Sequence, residues 1–143
     1  MLFSDLISFI KENRFKGRRQ SFQLDDEGLE QYIRWAFCRN YLMLVSSEKG
    51  ISGVAIAYAL PKPYDGRIET LIPYDNELKE DTENKYEICV MDWIAQDSES
   101  RKNLINQFTI RFPNWENQQK WGIQFGLAKQ LTNKYMNLLK GIN

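Results

Sequence analysis

Apolar residues recur along this chain first at helical spacing, then in strand-like runs, then at helical spacing again. Residues 1–15 place Leu2, Phe3, Leu6, Ile7 and Ile10 on one face, which predicts a short amphipathic helix. Leu29, Tyr32, Ile33, Ala36 and Phe37 repeat the stripe behind Asp25 or Asp26, either of which suits a helix N-cap. Two nearly continuous apolar runs follow, 41–45 and 54–60, around a turn at Glu48-Lys49-Gly50. They predict a hairpin of central strands covered on both faces.

Residues 86–95 predict another strand, with Glu87 and Asp92 inside it. Simple alternation sets the two acids on opposite faces, Glu87 with Cys89 and Met91, Asp92 with Val90 and Ile94. Leu104, Ile105, Phe108 and Phe112 stripe a helix over 98–112, capped by Asp97 or Ser98 and stopped at Phe112-Pro113. A strand over 120–125 follows, and Leu127, Leu131, Tyr135 and Leu138 predict a final helix ending at Gly141. Strand, helix and strand over 86–125 form a βαβ unit. Such units bind ligands where the first strand hands over to its helix, here residues 96–101.

With 143 residues and 43% apolar content the chain has the length and material for one domain with one core. Nineteen basic and nineteen acidic residues cancel, so the whole molecule exerts no strong pull on nucleic acid or membrane. The distribution is uneven. Residues 101–143 hold Arg101, Lys102, Arg111, Lys120, Lys129, Lys134 and Lys140 against Glu116 alone, while 75–84 hold Asp75, Glu77, Glu80, Asp81 and Glu83 against Lys79. The basic stretch 11–19 interleaves only Phe15 and reads as a solvated linker before a phosphate-contacting patch. The loop 61–84 is long for so small a domain, which marks it as functional or mobile.

There is no histidine. Ser-His and Cys-His nucleophile pairs and His-metal sites are thereby excluded, and no metal site is expected. Cys38 and Cys89 lack CxxC spacing and read as buried free thiols. No secretory signal is visible, and the longest apolar run, 51–60, is too short to span a bilayer, so a cytosolic-type protein without a membrane partner is expected. For chemistry the chain offers Glu87, Asp92 and tyrosines. A carboxylate inside a sheet serves as a general base when burial raises its pKa, or as a paired structural charge. Trp93 and Trp115 line a ligand slot or fill the core.

The order helix, helix, hairpin, strand, helix, strand, helix resembles the fold of the GNAT N-acetyltransferases. The run Cys89-Val90-Met91-Asp92-Trp93-Ile94-Ala95 and the later Arg111-Phe112-Pro113-Asn114-Trp115 are similar to small GNAT-like proteins encoded by bacteriophages. The strand-to-helix region also resembles the toxin-activating acyltransferases, whose histidine this chain lacks. The resemblance implies an α/β (α+β) fold: a mixed, mainly antiparallel sheet of four or five strands flanked by helices, lacking the family's last two strands. It implies acetyl-CoA between two splayed strands, the main chain of Trp93, Ile94 and Ala95 holding the pantetheine and Gln96, Ser98, Glu99, Ser100 and Arg101 the pyrophosphate. Glu87 or Asp92 would be the base, and Tyr135 the acid toward the thiolate.

The family's phosphate loop has the pattern Q/R-x-x-G-x-G/A, because glycine lets an anion approach the amides at a helix start. Here Gln96 fits, but Glu99 and Arg101 stand at the two small positions, and Asp97 and Glu99 bring negative charge to the place a pyrophosphate would take. The expectation is therefore a phage-type GNAT-like accessory or virion-associated protein, non-catalytic or weakly catalytic. It would bind protein partners, other virion proteins included, through 101–143 and the acidic 75–84 loop, in the host cytoplasm or the virion. The alternative is an active N-acyltransferase moving an acetyl group from acetyl-CoA to an amine. Nucleic-acid binding through 11–19 and 101–140 is a third class.

Overall fold

The computed structural model describes residues 2–14, 24–67, 71–73, 79–124 and 127–140, the side chain of Gln124 excepted. Residues 15–19 of the basic stretch, 75–78 of the acidic run and Phe125-Gly126 therefore lie outside the described residues.

Among the described residues five strands lie in sequence order in one sheet: β1 (Leu42–Ser47), β2 (Gly50–Leu60), β3 (Glu87–Ala95), β4 (Lys120–Gln124) and β5 (Leu127–Gln130). All neighbours are antiparallel except β3 and β4, whose parallel pairing is made by the crossover helix α3 (Ser98–Arg111). The remaining helices are α1 (Phe3–Asn13), α2 (Asp26–Cys38) and α4 (Asn133–Leu139). The fold is α+β, a mixed and mainly antiparallel sheet with helices on both faces. No helix among the described residues is long and apolar enough to cross a membrane.

Two cores follow from the alternation of side chains across the sheet. On one face Leu6 and Ile10 of α1 and Leu29, Tyr32, Ile33 and Ala36 of α2 pack on Val54, Ile56 and Tyr58 of β2 and on Cys89 and Met91 of β3. On the other face Leu104 and Phe108 of α3 and Met136 of α4 pack on Ala55, Ala57, Ile88 and Val90. Strand β2 is buried almost throughout, as its uninterrupted apolar run requires. The β1–β2 turn needs only Glu48 and Lys49, and Gly50 opens β2 at φ +108°, where a glycine is the natural choice.

Three expectations need correction. Residues 127–130 are not helical: they form β5, an antiparallel partner for β4, and the helix starts only after Thr132, whose side chain accepts the Tyr135 N–H at 3.1 Å. The free edge of β4 outweighs the helical stripe, and Leu127 and Leu138, two members of that stripe, are exposed. Cys89 is buried as expected but Cys38, at the last turn of α2, is exposed.

The third correction concerns the faces of β3. Ile56 pairs with Asp92 and Ala57 with Val90, so Met91 is an extra residue, a β-bulge. One extra residue reverses the parity of everything after it. Asp92 and Ile94 thus join Glu87, Cys89 and Met91 on the α1/α2 face, while Trp93 and Ala95 turn to the α3/α4 face.

Candidate functional site: the splay between β3 and β4

Strand β3 is paired with β2 along its whole length, from Leu60↔Glu87 to Gly53↔Ala95. Its pairing with β4 spans only Ile88↔Lys120, Cys89↔Trp121 and Val90↔Gly122. The strands part where the bulge at Met91 bends and twists β3.

Below that point the pair is pinned. The Ile88 N–H donates to Gln119 O at 2.8 Å, Gln118 Nε2 to Tyr86 O at 2.7 Å and Asn114 Nδ2 to Asn84 O at 2.9 Å. Buried Lys120 donates its Nζ to Trp115 O at 2.6 Å and Gln118 O at 2.9 Å, its pKa lowered by burial.

Above that point a cavity of about 250 Å³ opens between the strands and reaches side chains of both cores. Met91, Ile94 and Ile123 line it from the α1/α2 side, Trp93, Phe108 and Met136 from the other. Leu131, Tyr135 and Leu139 close it from the α4 end of the chain. Its charged lining is Arg14, Arg101, Lys129 and Asp92.

Asp92 is fully committed. Arg14, just after α1, donates Nε to Asp92 Oδ1 at 2.8 Å and Nη2 to Oδ2 at 3.4 Å, with side-chain exposures of 0% and 3%. The Tyr32 hydroxyl donates to Oδ2 at 2.8 Å, and burial, then the Asp92 charge, hold the Tyr32 pKa well above the usual phenol value. The hydroxyl therefore remains a donor throughout the physiological range. A buried pair of this kind is costly to break, about 3–5 kcal/mol when one partner is removed. With Asp92 neutralised, the other cations set the sign of the cavity. It favours an anion.

Glu87 stands elsewhere. It accepts the Tyr64 N–H at 2.7 Å and the Trp121 Nε1–H at 3.5 Å, beside the Tyr64–Trp121 ring contact. Five residues of strand separate it from Asp92 along β3, roughly 16 Å at 3.3 Å per residue. One ligand does not bring the two carboxylates together.

The start of α3 is occupied from within. Asp97 Oδ1 accepts the Ser100 N–H at 2.7 Å, and that hydrogen bond lowers the Asp97 pKa. The Ser100 hydroxyl is buried against Ser52 Oγ at 2.8 Å, and the Gln96 N–H donates to Ser52 O at 2.9 Å. Ser98 and Glu99 are exposed. Of residues 96–101 only Arg101 lines the cavity, together with Trp93 and Ile94 from the strand; Ala95 does not. Tyr135 lines it as well, half-buried.

The Trp93 indole N–H is buried and has no acceptor among the described residues. Leaving such a donor unmatched costs about 1–3 kcal/mol, which an acceptor on a ligand would recover. Among the described residues no group of three or more His, Cys, Asp or Glu side chains is placed to hold a metal ion.

The sequence pattern did not point to Arg14, Lys129 or Met136 as parts of one site. Arg14 is 78 residues from Asp92 and sits in a basic stretch that reads as solvated, although it is 4% exposed. A buried carboxylate in a strand calls for a cation or donors, and that demand is the one signal that leads to it. No family model, no curated protein and no solved structure matches this chain.

Proposed function

We propose that this chain is a GNAT-like accessory protein of the type bacteriophages encode, acting by binding other proteins rather than by acyl transfer, in the host cytoplasm or the virion. One observation carries the non-catalytic part of the reading: Asp92, the carboxylate inside the cleft, is engaged by Arg14 and Tyr32. A general base must reach the proton it takes and hold a pKa near the operating pH. Asp92 is buried and engaged by Arg14 and Tyr32, and Glu87 is bound at the far end of the strand. At the helix start that would cradle a pyrophosphate, the Ser100 N–H is taken by the chain's own Asp97 carboxylate.

The second reading, an N-acyltransferase using acetyl-CoA, is favoured by the splay itself and by Tyr135 beside the same cavity. The two are separated by following thiol release from acetyl-CoA in the presence of a panel of primary amines and basic peptides. The binding reading expects release no faster than in buffer. Turnover that falls in Tyr135→Phe would establish the enzyme instead.

A further inference from the structure

The cavity in the splay carries chemistry that protein binding does not use. Its walls are apolar, from Met91 and Ile94 on one side of the sheet to Phe108 and Met136 on the other. Its charged groups are three cations and one acid, and the acid is already paired with the buried cation, Arg14. The other two cations, Arg101 and Lys129, are exposed, so they stand at the mouth while the apolar walls lie deeper. At about 250 Å³ the cavity lies just below the roughly 300–1,000 Å³ of ordinary ligand pockets. That is room for a short chain or ring, and less than a whole nucleotide cofactor occupies.

We propose that this cavity is a binding site for a small amphiphilic carboxylate, with an alkyl or aryl body inserted between β3 and β4 and its carboxylate held at the mouth by Arg101 and Lys129. An apolar body gains from leaving water, and the anionic head meets two cations without having to be buried. A cationic amphiphile would set its head against the same two charges. A neutral one would leave them unanswered. Trp93 lines the same cavity, and its buried indole N–H has no acceptor among the described residues. The site is independent of whether the protein also holds protein partners.

The test is calorimetric titration of the full chain with octanoate, with 1-octanol, octylamine and coenzyme A in parallel. Octanoate is expected to bind one to one with a dissociation constant of about 100 μM or tighter. Raising salt from about 20 mM to about 500 mM should weaken it several-fold, because the head contact is exposed. The Arg101→Gln/Lys129→Gln double variant changes only exposed side chains and should weaken octanoate about tenfold with its melting curve unchanged. Leu139→Trp, which fills the cavity, should abolish binding.

Octanol binding as tightly as octanoate, indifference to the double variant, or no saturation by octanoate below about 5 mM would overturn the inference. If neither octanoate nor coenzyme A binds, this site is refuted while the accessory reading stands. Micromolar coenzyme A with no octanoate binding refutes both.

Discussion

The two halves of β3 show what a single inserted residue does to a sheet. From Ile88 to Val90 the strand is held on both edges, by β2 and by β4, and its side chains enter the two cores in strict alternation. From Asp92 to Ala95 only the β2 edge continues as a ladder among the described residues, the alternation is reversed, and a cavity takes the place of the missing neighbour. The same strand is thus scaffold at one end and wall of a site at the other. Polarity follows the division. The closed half sets its acid, Glu87, against a backbone N–H and an indole, while the open half needs a full buried ion pair to keep Asp92 in place.

The contrast is broken most forcefully at Asp92. Asp92→Ala leaves Arg14 buried without its counter-charge and should cost about 3–5 kcal/mol in urea denaturation. Glu87→Ala loses hydrogen bonds from neutral donors and should cost about 1–3 kcal/mol. Replacing the pair together, Arg14→Met/Asp92→Leu, should recover much of the Asp92→Ala loss, because no uncompensated charge remains. Equal effects of the two single variants would contradict the division.

The two halves should also differ in packing. Ile88→Ala in the closed half removes a fully buried side chain and should cost about 2–5 kcal/mol. Ile94→Ala, half-buried at the cavity, should cost about half as much, in proportion to the apolar area it hides.

A thiol probe reports the closed half directly. Burial, with the nearby Glu87 charge, pushes the Cys89 thiol up to about 12, from an ordinary value of 9.0. The unfolded chain therefore releases this proton near pH 9 while the folded chain retains it, so the fold should lose stability as pH rises between 9 and about 12. Below pH 9 both states keep the proton and this effect vanishes. In native protein an aromatic disulfide reagent should titrate Cys38 at once and Cys89 only on unfolding. The smallest change is expected at the rim: Arg101→Gln should move stability by no more than about 0.5 kcal/mol, since the side chain is exposed.

Much of the scaffold was legible in the chain. The helices behind Asp25 and Asp97, the hairpin of 41–60 and the strand–helix–strand that ends, among the described residues, at Gln124 follow from apolar spacing and capping residues, and each is present. The errors share a cause. Periodicity describes what one element does alone, whereas β5 exists because β4 offers it an edge, and the faces of β3 depend on a bulge that a run such as Val-Met-Asp-Trp does not announce. The site was half legible. Trp93, Ile94, Arg101, Tyr135 and Asp92 do meet at the splay, but Arg14, which decides what Asp92 can do, comes from a helix end 78 residues away.

Whether the open half of β3 holds a spent carboxylate and a closed helix start, or a working acyltransferase centre, is decided most directly by calorimetric titration of the chain with acetyl-CoA. The ion pair at Asp92 and the Asp97 cap predict no saturable heat up to about 1 mM. A micromolar dissociation constant that tightens further in Glu99→Gly would contradict them and establish the cofactor site.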